Sequence, residues 1–191
     1  MSPLMIRWLW LGLGLLLAGC ATPPVAPRPA HVEAVPFTLN GRVAIQHQGE
    51  RHSAGLHWTH LAQSDELLLL TPLGTTAARV YQDGQHATLD QGDQHERSDN
   101  LETLMTQVLG WHLPLAGLHH WVLGLAETTT PAQIERNEFG QISTLQQNGW
   151  TVRYTRYPNQ QPDALPSRMQ LNHAQLQVQL LIDEWEWQVT P

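Results

Sequence analysis

The chain has 191 residues and a formal net charge of −7, and its 10 basic residues are all arginine. That balance excludes a nucleic-acid binder, which needs a basic face, and argues against a polybasic membrane patch. The single cysteine excludes an intrachain disulfide, and a hydrophobic fraction of 41% suffices for the core of one domain.

Residues 1–19 carry one charge, Arg7, followed by an apolar run from Trp8 to Ala18. As a helix this run would span about 16 Å, against about 30 Å of bilayer hydrocarbon, so it reads as the core of a cleaved signal peptide. It closes in Leu17-Ala18-Gly19-Cys20, small residues directly before a cysteine. This looks like a bacterial lipobox, which implies cleavage before Cys20 and acylation of its thiol and new amino group. More than one acyl chain makes membrane attachment stable. Ala21 follows where an Asp would favour inner-membrane retention, which points to the outer membrane. Residues 20–36 then form the lipidated Cys20 and a tether rich in Pro and Ala, extended and semi-rigid. Residues 37–191 remain for a single folded domain.

That domain opens as a meander. Phe37–His47 alternates as a strand with an interruption at Gly41, and Gln48-Gly49-Glu50 turns it into a second strand, Arg51–His60. Glu66–Leu70 is a third strand, apolar on both faces. Thr71-Pro72 ends it, because proline lacks an N–H for the ladder. Leu73 then sits between Pro72 and Gly74 on an expected turn tip. Either it folds back onto its own core, or it is held out for an apolar contact. Thr75–Gln82 and His86–Gln91 flank an Asp83-Gly84 hairpin signal.

The period then changes. Ser98-Asp99-Asn100 offers caps, Leu101, Leu104, Met105 and Val108 follow at helical spacing, and Gly110 closes the helix. Leu115, Leu118, Trp121, Val122 and Leu125 fall near one face of a second short helix. After Pro131 strands resume: a short one at Ile134–Asn137, Gln141–Gln146, an Asn148-Gly149 turn, Trp150–Tyr157, Met169–Asn172, Gln175–Leu181 and Ile182–Val189. About ten strands and two or three helices, without any parallel βαβ pattern, predict a mainly β, α+β fold. Its sheet is expected to be a curved antiparallel open half-barrel with a helical lid.

No nucleophile elbow, P-loop or dinucleotide fingerprint is present, so the chain is not expected to be an enzyme. The 11 histidines are scattered and no metal-ligand spacing occurs, so neither a metal nor a cofactor is expected. Asp183, Glu184 and Glu186 read as a solvated strand face. What is abundant is apolar surface on strands and short helices. Such a surface either encloses a cavity for acyl chains or packs as the filled core of a structural lipoprotein and interaction module.

Several segments together resemble the LolB family of outer-membrane lipoprotein receptors in Gram-negative bacteria: the lipobox, GRVAIQ, LHWTH, LLLLTPLG, LPLAGLHHWVLG, NGWTVRY and the terminal Trp-containing strand. The resemblance runs over nearly the whole mature chain. It implies an open antiparallel barrel of the LolA/LolB kind, covered by helices around a hydrophobic cavity. It implies a monomeric, lipid-anchored protein on the periplasmic face of the outer membrane. Such a protein accepts lipoprotein cargo from the periplasmic carrier LolA and inserts it into outer-membrane lipid. It also implies that Pro72, Leu73 and Gly74 form a membrane-insertion loop, with Thr71 standing where another member of the family has Asn. The cavity wall would include Trp58, Leu68, Leu70, Leu118, Trp121 and Trp150. A slip of one residue in register would invert each of these strand assignments.

Overall fold

A computed structural model describes residues 35–188. Cys20, the signal peptide and most of the tether lie outside the described residues. The strands are β1 (Phe37–His47), β2 (Glu50–His60), β3 (Ser64–Leu70), β4 (Thr76–Asp83), β5 (Ala87–Gln91), β6 (Gln94–Ser98), β7 (Ala132–Arg136), β8 (Ile142–Gln147), β9 (Trp150–Arg156), β10 (Arg168–His173) and β11 (Leu176–Trp187). Two helices, α1 (Leu101–Leu109) and α2 (Leu115–Val122), interrupt the series between β6 and β7.

All the strands form one 11-stranded open sheet, ordered β6-β5-β4-β3-β2-β1-β11-β10-β9-β8-β7. Every neighbouring pair is antiparallel. Each half is a meander built mostly by tight turns, with the longer loop of residues 157–167 joining β9 to β10, so local chemistry suffices for most of the pairings. The β1–β11 seam is the exception, because it joins the two ends of the domain. At that seam the register shifts between Asn40 and Gly41, leaving Asp183 as the extra residue on β11. A Cβ on Gly41 would lie 2.1 Å from the Leu181 carbonyl oxygen, so the interruption expected from Gly41 is a bulge that only glycine fits.

One face of the sheet is apolar. Phe37, Leu39, Val43 and Ile45 of β1 and Leu176, Val178, Leu180 and Ile182 of β11 are buried on it. The helices cover this face. Asn100 caps α1 by accepting a hydrogen bond from the Thr103 N–H at 2.8 Å, and Gly110 ends it at φ 77°. Leu101, Leu104 and Met105 turn inward, and the helix packs against β5 and β6. In α2, Leu115, Leu118, Trp121 and Val122 turn inward and join the same core.

Two elements differ from the sequence-based expectation. β6, Gln-His-Glu-Arg-Ser, has no apolar residue and so no strand periodicity; it exists as the edge partner of β5. Leu176–Trp187 is one continuous 12-residue strand rather than two. The bulge at Asp183 changes its alternation, which mimics a break between two shorter strands.

Candidate functional site

The lidded face is held by two polar pins set into an apolar interior. At the first, Asp65 of β3 is buried and accepts three hydrogen bonds. They come from Trp58 Nε1 at 3.0 Å, His60 Nδ1 at 2.7 Å and Gln82 Nε2 at 2.9 Å. Burial pushes the Asp65 carboxyl up, but the hydrogen bonds from His60, Gln82 and Trp58 and the charge of His60 outweigh it. The net effect holds the group below its ordinary value. His60 stacks on His119 of α2, with ring centroids 4.8 Å apart and planes 12° from parallel, and His119 lies 3.8 Å from the His120 ring. The lid thus meets β2 through a histidine stack.

Burial, with the charges of His120 and His60, pushes His119 down to about 4, against the pull of Asp65 and a backbone hydrogen bond at Leu115. A base whose folded value lies below its ordinary 6.5 binds fewer protons folded than unfolded between those limits. Its contribution is therefore complete above pH 6.5 and lost as pH falls toward 4. The lowered Asp65 adds a loss in the same direction, beginning as pH falls through its ordinary value of 3.8. Chemical denaturation at pH 7.5 and pH 5 is expected to give lower stability at pH 5. The difference should shrink in His119→Phe, which keeps a ring against His60 but cannot take up a proton.

The second pin is Gln147 at the end of β8. It is buried, and every polar atom of its side chain is engaged. Its Oε1 accepts from Trp121 Nε1 and from the Glu127 N–H, both at 3.0 Å. Its Nε2 donates to the carbonyl oxygens of Glu127 and Thr130 and to Thr130 Oγ1. One carboxamide thus ties the sheet to α2 and to the segment leading from it to β7. Tyr154 Oη adds a bond to the Trp121 carbonyl at 2.9 Å, and burial keeps its phenol protonated.

Trp58, Leu118, Trp121 and Trp150 all lie in this interior and belong to one buried apolar cluster. Trp121 and Trp150 face each other at 6.1 Å. Leu68 and Leu70 do not. Cross-strand pairing puts Leu67 opposite both Trp58 and Val80 on the lidded face, with Leu69 opposite Leu56. Leu68 pairs with His57, and Leu70 with Gly55, on the outer face. The two cavity candidates from the leucine run are therefore corrected to Leu67 and Leu69. A run of four leucines has no alternation from which to read its faces, so the neighbouring strands decide.

The loop after this strand is a three-residue hairpin connection. The Gly74 N–H donates to the Thr71 carbonyl at 2.9 Å, the Thr71 N–H donates to the Thr75 carbonyl at 2.8 Å, and Gly74 takes φ 81°. The Thr71 and Thr75 hydroxyls meet at 2.8 Å across its base. These bonds close the frame, and Leu73 at its tip is 92% exposed. Of the two readings of Leu73, the folded-back one is wrong.

Surface grooves are of another kind. One of about 630 Å³ lies beside Asn137, Gln141 and Arg156, one of about 220 Å³ on the outer face beside Arg51 and Gln170, and one of about 300 Å³ beside Gln133 and Asn148. Their walls are largely polar, and the first borders Tyr154 and the third Gln147 and Trp150 at the margin of the lidded interior. Among the described residues no cluster of His, Cys, Asp or Glu is arranged to hold a metal, and no helix is long and apolar enough to cross a membrane.

An open antiparallel sheet with an apolar face under two short helices defines the class: the LolA-type half-barrel. In solved structures the same fold occurs in a LolA superfamily protein from Nitrosomonas europaea, at TM-score 0.51 and 11% identity over 83% of this chain and 88% of that one. It occurs again in a DUF1329 family protein from Desulfovibrio piger, at TM-score 0.50 and 6% identity over 83% and 88%. The family model "Outer membrane lipoprotein LolB" matches residues 35–185, and the chain belongs to the LolB family. Outer-membrane lipoprotein LolB of Nitrosomonas europaea is 34% identical over 92% of this chain and 90% of its own length. The Chromobacterium violaceum protein of the same name is 34% identical over 94% and 98%. Family membership carries an outer-membrane address and the handling of lipoprotein cargo.

Proposed function

We propose that the chain is a non-enzymatic lipoprotein acceptor, anchored by acyl groups on Cys20. It takes acyl chains from the periplasmic carrier LolA and releases the cargo into the outer membrane. The observation that carries this reading is Leu73, an almost fully exposed leucine on a closed hairpin frame at one end of a sheet whose lidded face is apolar. Burying such a side chain in lipid is worth roughly 1.5–3 kcal/mol, which water denies it.

The lidded face supplies the cargo site. Trp58, Leu67, Leu118, Trp121 and Trp150 close on one another, so an acyl chain enters by displacing α1 and α2 from the sheet. The apolar contacts of the lid are then exchanged for contacts with the acyl chain, and the net cost stays small. Direction comes from differential affinity, since about 1.4 kcal/mol between carrier and acceptor gives a tenfold bias. No covalent step and no nucleotide are required.

Brominated acyl chains quench indole emission on contact, so they report entry directly. A lipoprotein bearing such chains, presented on its carrier, is expected to quench the tryptophans saturably. No saturable quenching, with the near-UV spectrum intact, would leave the structural lipoprotein with a filled core as the correct reading.

A further inference from the structure

Charge is segregated along the outer face of the sheet. At the end where the chain enters β1, this face carries Glu66, Glu184 and Glu186, whose backbones lie in register with Thr59, Asn40 and Thr38. Toward the other end, where the Leu73 hairpin projects, the acids give way to arginine. The rung of Leu70 runs through Gly55, Arg42 and Leu181 to Arg168 and Arg156. The next rungs carry Arg153, opposite Gln170, and Arg51, opposite Gln46. Five of the eight arginines among the described residues thus collect on one half of one face of a chain whose net charge is −7.

Arg42 is paired with Asp183 at 2.9 Å. Arg51, Arg153, Arg156 and Arg168 have no ion pair among the described residues. The acids at this end, besides Asp183, are Glu50 at the β1–β2 tip, Asp93 in the β5–β6 turn, Glu127 against Asn148 of the β8–β9 turn and Glu135 on the β7 edge. Between the arginines lies the outer-face groove of about 220 Å³, whose polar walls are Arg51 and the carboxamides of Gln46, Gln170, Asn172, Gln177 and Gln179. These amide groups make no side-chain hydrogen bond among the described residues. Guanidinium forks and free amide donors are the groups that bind phosphate oxygens. Half-buried Leu68, Leu70 and Leu181 lie beside them on the same face. Arginine interleaved with leucine is the pattern of a surface that rests in the interfacial zone of a bilayer.

We propose that this arginine-rich half of the outer face docks on the phosphate headgroups of an anionic membrane, aligning the domain so that the Leu73 hairpin meets the acyl layer. The inference rests on the proposed function in one respect only, that the Leu73 end faces the membrane. It assigns the outer face a task that the lidded face does not perform.

The test uses the full-length lipidated protein in phosphatidylcholine vesicles with and without phosphatidylglycerol, doped with a phospholipid carrying a photoreactive headgroup. Crosslinks are expected on the peptides bearing Arg153 and Arg168 and should rise with phosphatidylglycerol. Each Arg→Gln replacement should lower them by about fivefold, and salt should lower them further. A near-UV spectrum confirms that each variant is folded. Crosslinks confined to the lidded side, or indifferent to both phosphatidylglycerol and Arg153→Gln/Arg168→Gln, overturn the proposal. So does saturable binding of inorganic phosphate without vesicles, which would make this a site for the free ion. A Leu73→Glu arm separates the two readings. If Leu73→Glu delivers cargo normally while outer-face crosslinks persist, the insertion loop fails and the headgroup surface stands. If Leu73→Glu blocks delivery while outer-face crosslinks are absent, the headgroup surface alone fails.

Discussion

Leu73→Glu is expected to take lipoprotein from the carrier at the wild-type rate and to deliver it to liposomes at least about tenfold more slowly. The factor follows from the roughly 1.5–3 kcal/mol that a leucine gains on leaving water, which a carboxylate forfeits. Acceptance should be unaffected, because Leu73 makes no contribution to the buried core under the helices. Stability should stay within about 0.5 kcal/mol of wild type, since the side chain is 92% exposed and the hairpin bonds are made by Thr71, Gly74 and Thr75. Transfer from labelled carrier and arrival in liposomes, measured separately, check the two halves. Delivery at the wild-type rate would remove Leu73 from the mechanism.

Gln147→Met is expected to lower the unfolding free energy by about 3 kcal/mol, because methionine fills the space and offers none of the hydrogen bonds. The Trp121 indole N–H and the Glu127 N–H would lose their acceptor, and the carbonyls of Glu127 and Thr130 their donor. Each group is left in surroundings where a missing partner costs about 1–3 kcal/mol. The consequence reaches function, since these bonds fasten the lid to the sheet. Urea unfolding measures the loss, and hydrogen exchange should show faster exchange in α2 than in β1 or β11. Acyl-chain entry, read by tryptophan quenching, should be faster in the same variant. A change below about 1 kcal/mol would mean that the lid is held by apolar packing alone.

The parallel between these two sites explains how much was legible in advance. The Leu73 hairpin is specified locally: proline, glycine and two flanking threonines close it without help from the rest of the chain. Gln147 is not legible, because a glutamine on a polar strand looks the same whether it faces solvent or a helix that arrives from elsewhere. Its only advance signal was its place beside the Asn148-Gly149 turn, near Trp150. Asp65 was equally hidden, since it precedes the apolar run that marks the third strand. It became a buried acceptor once β2 and β4 brought Trp58, His60 and Gln82 to it.

By itself the sequence determined the hairpin order, the caps of α1, the apolar stripe of α2 and the apolar character of one sheet face. Each follows from interactions among residues close along the chain: turn chemistry, capping, and alternation at a period of two. The tertiary structure alone decided the rest. It assigned the four-leucine run to its faces, because Leu67–Leu70 has no alternation and only pairing with β2 and β4 sets its register. It made a strand of the polar β6, which has no apolar face of its own and is stabilised by the β5 ladder. It also gathered arginines from β1, β2, β9 and β10, positions far apart in the chain, onto one outer surface. Composition had argued against a basic patch, but net charge sums over the molecule while a membrane meets one face of it.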